Sequence, residues 1–266
     1  MAQAIGQVIE IFGIAAFVAL ATALCLTWLG QRFLSSDLAS RIALPCAVSI
    51  AYFAGYAVLP RDFASFIPQQ GQSWPWLPYL AFAAAAISAV FPYFLRISTR
   101  LIVLITICAV TGALLSPTWP VYGFTRDRLG IFLTFYLLAV GLPLLNSQPP
   151  RLARATLYAL IAICILNTLA IGAIYGIGHA QLAALPAAAL TGISLALLVG
   201  PKDADLALPR LAPLVAVLVG GIAWLASVEP DPPKPILLAI PLLSWAIWAL
   251  PAIFTTPFRS SPDRLD

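Results

Sequence analysis

The chain has 266 residues, 62% of them hydrophobic and only 9% charged, with 14 Lys and Arg against 10 Asp and Glu and a single histidine. The charges cluster between long apolar runs, which expose more apolar surface than one water-soluble core could cover. Lipid tolerates them, because a helix satisfies its own backbone groups and needs only apolar side chains outside. A separate soluble domain is excluded, since the longest stretches outside the runs, Pro60 to Trp76 and Pro201 to Arg210, have the length of loops. Nucleic-acid binding is excluded too, because no basic cluster is interleaved with exposed aromatics.

The predicted fold class is all-α, a polytopic transmembrane helical bundle forming a single integral membrane domain over 1–266. Cutting the chain at charges and turn residues gives nine candidate spans, each near the roughly 20 residues that a bilayer requires. They run Ile9–Leu29, Ile42–Leu59, Trp76–Leu95, Leu101–Pro117, Leu129–Leu145, Ala155–Gly176, Gln181–Leu198, Leu211–Ser227 and Pro235–Phe254. The segment Met1 to Gln7 carries no Lys or Arg, so it lacks the basic start of a secretory signal and the first run is expected to be a retained helix. Only Ile177-Gly-His-Ala180 separates the sixth and seventh runs, which predicts a tight helical hairpin.

Orientation follows from the basic residues. The odd connections and the C-terminal tail hold ten: Arg32 and Arg41, Arg96 and Arg100, Arg151 and Arg154, Lys202 and Arg210, Arg259 and Arg264. The even connections hold four: Arg61, Arg126, Arg128 and Lys234. The positive-inside rule then puts the N-terminus outside and the C-terminus in the cytoplasm, in the plasma (bacterial inner) membrane. The outer loops carry Ser73-Trp-Pro-Trp-Leu-Pro-Tyr79, Ser116-Pro-Thr-Trp-Pro-Val-Tyr122 and Glu229-Pro-Asp-Pro-Pro-Lys-Pro235, read as an aromatic belt with proline-stiffened caps.

Packing signals are generic. Gly172 and Gly176 form a GxxxG, Ala81–Ala86 and Ala183–Ala189 are small-residue patches, and Gly220-Gly221 falls mid-span; such residues let helices approach closely in lipid. Pro143, Pro186 and Pro241 fall within spans and are expected to kink or locally open them.

Chemistry is sparse. The four cysteines, Cys25, Cys46, Cys108 and Cys164, each lie inside an apolar run and form no CxxC, and the lone His179 excludes a histidine-rich metal site within this chain. His179 reads as a solvated turn residue. No metal or cofactor is expected, and no catalytic residue is assigned. The middles of the spans carry no ionisable group apart from tyrosine and cysteine, which argues against a carboxylate proton relay. The polar residues left as candidates fall into two sets. Tyr52, Tyr56 and Asn167 are in-span polar contacts, read first as interhelical glue and second as substrate contacts. Arg61, Asp62, Arg126, Asp127 and Arg128 form an outer-face polar cluster, read as an ion-pair network fixing the loops, or as a holder of an anionic headgroup, to which the planar guanidinium fork is suited.

The segment Gly71-Gln-Ser-Trp-Pro-Trp-Leu-Pro-Tyr79, leading into an alanine-rich helix, resembles bacterial multi-pass membrane proteins that have no assigned activity. The resemblance covers about the first half of the chain and implies a membrane location and no particular chemistry. Three readings follow: a non-catalytic membrane subunit or scaffold, a permease or flippase-like carrier for a lipid or small neutral solute, and a membrane enzyme with an outward-facing site at Asp62 and Asp127. The expected partners are the lipid bilayer and other membrane proteins or a second copy of the chain, without nucleic acid.

Overall fold

The computed structural model describes residues 2–35, 38–59, 73–90, 97–118, 121–145, 150–199, 208–228 and 233–249. Among the described residues the secondary structure is helical, apart from one isolated bridge between Val121 and Phe124. The helices are α1 (Ala2–Phe33), α2 (Leu44–Val58, entered through a π turn over Ala39–Ala43), α3 (Trp76–Val90), α4 (Ile97–Leu115), α5 (Arg126–Gly141), α6 (Pro150–Tyr175) and α7 (Ile177–Val199). Two composite helices follow, α8 (Leu208–Val228) and α9, which starts at Pro235 and is described to Ala249.

Six segments are long and apolar enough to cross a membrane: Gly13–Phe33, Ile97–Leu115, Arg126–Leu144, Ala153–Tyr175, His179–Val199 and Leu208–Val228. These mark the chain as membrane-embedded. Three shorter apolar helices, Leu44–Val58, Trp76–Ala89 and Pro235–Ala246, fall where the second, third and ninth runs were expected. Large apolar side chains point outward on several helices, among them Phe17 of α1, Ile102 of α4, Phe135 of α5, Leu169 of α6 and Leu198 of α7. In water that surface would be a liability; in lipid it is the ordinary exterior.

The centre of the bundle is α8. Every residue from Leu208 to Val228 is buried, as befits a helix that is apolar all round. It packs against α2 to α7 and against the start of α9. Its backbone is irregular, running from a 3-10 turn (Leu208–Leu211) through a short α segment (Ala212–Val215) and a π segment (Ala216–Gly220) into the α-helix Gly221–Val228. Pro209 and Pro213 remove two amide donors near its start, which accounts for the non-α opening. Neighbouring leucines occupy the space left by its glycine pair: a Cβ on Gly220 would lie 2.7 Å from Leu137 Cδ2, and one on Gly221 3.0 Å from Leu77 Cδ2.

To one side, α1, α2, α6 and α7 form a tightly packed group in which α7 meets α1, α2 and α6. Close approach depends on small residues. A Cβ on Gly192 of α7 would lie 2.3 Å from the Leu20 carbonyl oxygen of α1, and one on Gly55 of α2 would lie 3.0 Å from the Ala15 carbonyl oxygen. On the other side, α4 and α5 touch where a Gly112 Cβ would sit 2.7 Å from the Gly130 carbonyl oxygen. The expected proline effects are uneven. Pro143 lies in the 3-10 turn Leu142–Leu144 that ends α5, and Pro241 lies where α9 alternates between 3-10 and α turns, whereas α7 runs through Pro186 without interruption. Of the GxxxG pair, Gly172 is the packing residue, a Cβ there meeting that of Ala180 at 3.1 Å, while Gly176, at φ +80°, makes the turn into α7.

The ends of the helices share one device. The carbonyls of Ser88, Ala113, Leu145 and Ala226 each lie four residues before a proline (Pro92, Pro117, Pro149 and Pro230), so the amide that would continue the helical ladder is missing. Each of these carbonyls accepts a hydrogen bond from a long side chain instead: Arg210 Nη1 to Ser88 (3.5 Å), Arg126 Nη2 to Ala113 (3.4 Å), Arg100 Nη1 to Leu145 (3.0 Å) and the Tyr175 hydroxyl to Ala226.

Backbone contact at Gly192 generates a sharp prediction. Gly192→Val should lower the thermal midpoint of the purified protein by several degrees or prevent its accumulation. Gly13→Ala, with nothing within 4 Å of the added Cβ, should leave the midpoint unchanged or raise it through helix propensity worth about 1 kcal/mol.

Candidate functional site at the tyrosine-capped end

Described residues at or just before the starts of α3, α5, α7 and α9 are linked by contacts at one end of the bundle. Tyr175 and His179 flank the α6–α7 turn with ring centroids 5.1 Å apart, and His179 is 5.6 Å from Trp74, just before α3. His179 is therefore half-buried among aromatic rings, more enclosed than a solvated turn residue. Tyr122, between α4 and α5, donates its hydroxyl to the Ser227 carbonyl at 2.9 Å, and the Lys234 amide donates to the same oxygen at 2.9 Å. With the Tyr175 hydroxyl on Ala226, three donors from three segments close the last turn of α8.

Tyr122 is held in an unusual way. Val121 and Phe124 exchange backbone hydrogen bonds (2.9 and 3.4 Å) around a two-residue turn in which both Tyr122 and Gly123 have positive φ, +54° and +75°. That is the signature of a type I′ turn, in which the first position ordinarily takes Asn, Asp or Gly. An aromatic residue there carries strain of about 1–2 kcal/mol. The hydrogen bond to Ser227 fixes the ring, and burial pushes the Tyr122 phenol up from its ordinary value, so the hydroxyl keeps the proton it donates. Beneath it, Trp224 of α8 is fully buried, donates its indole N–H to the Leu115 carbonyl at 3.4 Å and stacks obliquely on Phe132 at 5.8 Å.

Two cavities open beside the first turn of α5. One, of about 440 Å³, is lined by Tyr122, Phe124, Arg128, Phe132, Pro235 and Leu238 among others and is almost wholly apolar. The other, of about 410 Å³, is mixed in character and includes Ser116, Arg126, Asp127 and Thr134. The outer-face cluster is thus divided. Arg126, Asp127 and Arg128 are all exposed on the first turn of α5, where Asp127 also favours the helix dipole, but Arg126 and Arg128 line different cavities. Arg61 and Asp62 lie outside the described residues.

The in-span set is buried. Tyr52 and Tyr56 are one turn apart on α2, their rings 6.2 Å apart and both fully enclosed, and Asn167 is enclosed on α6. Among the described residues, the Tyr52 hydroxyl and Asn167 Oδ1 have no hydrogen-bond partner, and neither cavity is lined by these three side chains. Also among the described residues, no group of three His, Cys, Asp or Glu side chains is placed to hold a metal ion.

Sequence reasoning read Tyr122 only as a belt aromatic and gave Tyr175 and Trp224 no role. Proline four residues after Ala226 was the available signal for an orphaned carbonyl, although it does not say which donor answers it. Tyr175→Phe should cost about 1–2 kcal/mol, read as a lowered thermal midpoint, because Ala226 loses its donor; Tyr158→Phe, on the exposed face of α6, should cost nothing measurable.

In comparison with known proteins, no family model, no curated protein and no solved structure matches the chain.

Proposed function

We propose that this protein is a non-catalytic membrane subunit or scaffold that crosses a bacterial inner membrane nine times, with its tyrosine-capped end outside and its C-terminus in the cytoplasm. The supporting observation is the enclosure of its in-span polar groups. Tyr52, Tyr56 and Asn167 are packed between helices, and the middle of the bundle is occupied by α8, buried along its whole length. A carrier would instead be expected to present such groups to a path through the membrane. Sidedness rests on the count of ten basic residues against four in alternate connections.

One observation favours a carrier as the second reading. The π segment Ala216–Gly220 interrupts the central helix midway, and π turns often mark functional positions. The two readings differ in their tests. Extraction in mild detergent followed by native mass spectrometry should recover the protein with other polypeptides; recovery alone or as a homodimer would favour the carrier. Asn167→Leu should be neutral or stabilising by up to about 1 kcal/mol, since it replaces a buried amide oxygen that lacks a partner among the described residues, and it should leave complex recovery intact. Loss of a cellular phenotype in that variant, at normal abundance, would contradict the subunit reading. Reporter fusions after Gly123 and Gly178 should both report the outer side.

A further inference from the structure

We propose that the apolar groove between the start of α5 and the start of α9 is a binding site for an anionic phospholipid, with the phosphate on Arg128 and an acyl chain along Phe124, Phe132 and Leu238. The groove has a volume of about 440 Å³, within the range of roughly 300–1,000 Å³ typical of small-ligand sites. Its walls are open to the surroundings, Phe124 being 49% and Phe132 53% exposed. Those surroundings are lipid along most of its length, because α5 belongs to a segment, Arg126–Leu144, long and apolar enough to cross a membrane.

Charge selects the occupant. Among the described residues, Arg128 is the one charged side chain lining the groove. Successive helical residues turn by about 100°, so Arg126 and Arg128 point to nearly opposite sides of α5. Arg126 is turned to the Ala113 carbonyl, and Asp127 lines the cavity on that same side. Among the described residues, no hydrogen bond or ion pair engages the Arg128 guanidinium, which is left as a planar, five-donor fork above an apolar slot. A phospholipid presents the matching pair of features, a phosphate at the level of the helix end and a chain running down beside the helix.

The site is also preformed. Tyr122, pinned by Ser227 and strained at φ +54°, forms one wall. Phe132 is backed by the buried Trp224. A rigid groove loses little freedom on filling, so more of the contact energy appears as affinity. Lipid binding here is independent of whether the chain works alone or inside a complex.

Native mass spectrometry of the full-length protein in detergent, titrated with phosphatidylglycerol or phosphatidylcholine of the same chain length, tests the assignment. One phosphatidylglycerol should be retained in preference to phosphatidylcholine. Arg128→Gln should weaken that retention about fivefold, Arg128→Lys should recover part of it, and Arg126→Gln should leave it unchanged. Leu238→Trp, at a residue that lines this groove and not the neighbouring cavity, adds bulk without touching the charge; it should also reduce retention, and it carries the test if the arginine variants do not fold. Equal retention of the two lipids, undiminished binding in folded Arg128→Gln or in Leu238→Trp, or displacement of the lipid by millimolar inorganic phosphate would each overturn the proposal.

Discussion

The structure depends on what happens to a carbonyl oxygen whose helical donor has been replaced by proline. Away from water such a group has few ways to be satisfied, and leaving it bare costs about 1–3 kcal/mol. Prolines end the ladders at Ser88, Ala113, Leu145 and Ala226, and in every case a guanidinium or phenol from another helix takes the place of the amide. Each of these bonds does two things: it satisfies a helix end and it fastens one connection to another. Arg100 ties the start of α4 to the end of α5, Arg210 ties the start of α8 to the end of α3, and Tyr175 ties the end of α6 to the end of α8. Short loops alone would not specify these tertiary neighbours.

This view changes how the basic residues are understood. At the level of composition they are orientation signals; in the structure three of them are also hydrogen-bond donors to named carbonyls. Arg126 and Arg128, only two positions apart, have different work: the first completes a helix end, the second faces an apolar groove. Charge counting treats the two as equivalent, and helical geometry separates them.

Much of the architecture was legible in the sequence because the bilayer imposes a length and an apolar composition on each crossing segment. The apolar runs fall on helices, six of them long and apolar enough to cross a membrane, and the hairpin turn lies at Gly176, just before the expected Ile177–Ala180 connection, which instead opens α7. Three things were not legible. The period of a uniformly apolar run carries no face, so nothing marked α8, with its unremarkable Leu211–Ser227 pattern, as the buried centre. The GxxxG motif could not distinguish Gly172, which packs, from Gly176, which turns. Tyr122 before Gly123 resembles any belt tyrosine until its backbone angle is known. Of the candidate site residues, the in-span set was read as interhelical contacts on the general ground that buried amides and phenols seek partners. Even so, Asn167 Oδ1 and the Tyr52 hydroxyl have none among the described residues.

The burial of α8 bears on how the molecule is made. Chain growth supplies α1 to α7 before the helix that fills the space among six of them. Until Leu208–Val228 is synthesised, the inward faces of those helices, with the small residues suited to close packing, have only lipid or one another to meet. The bundle therefore cannot reach its final arrangement by adding helices to a finished edge. It must hold an opening for a late arrival, and a chain stopped before Leu208 would lack the centre of the structure as well as its last helices.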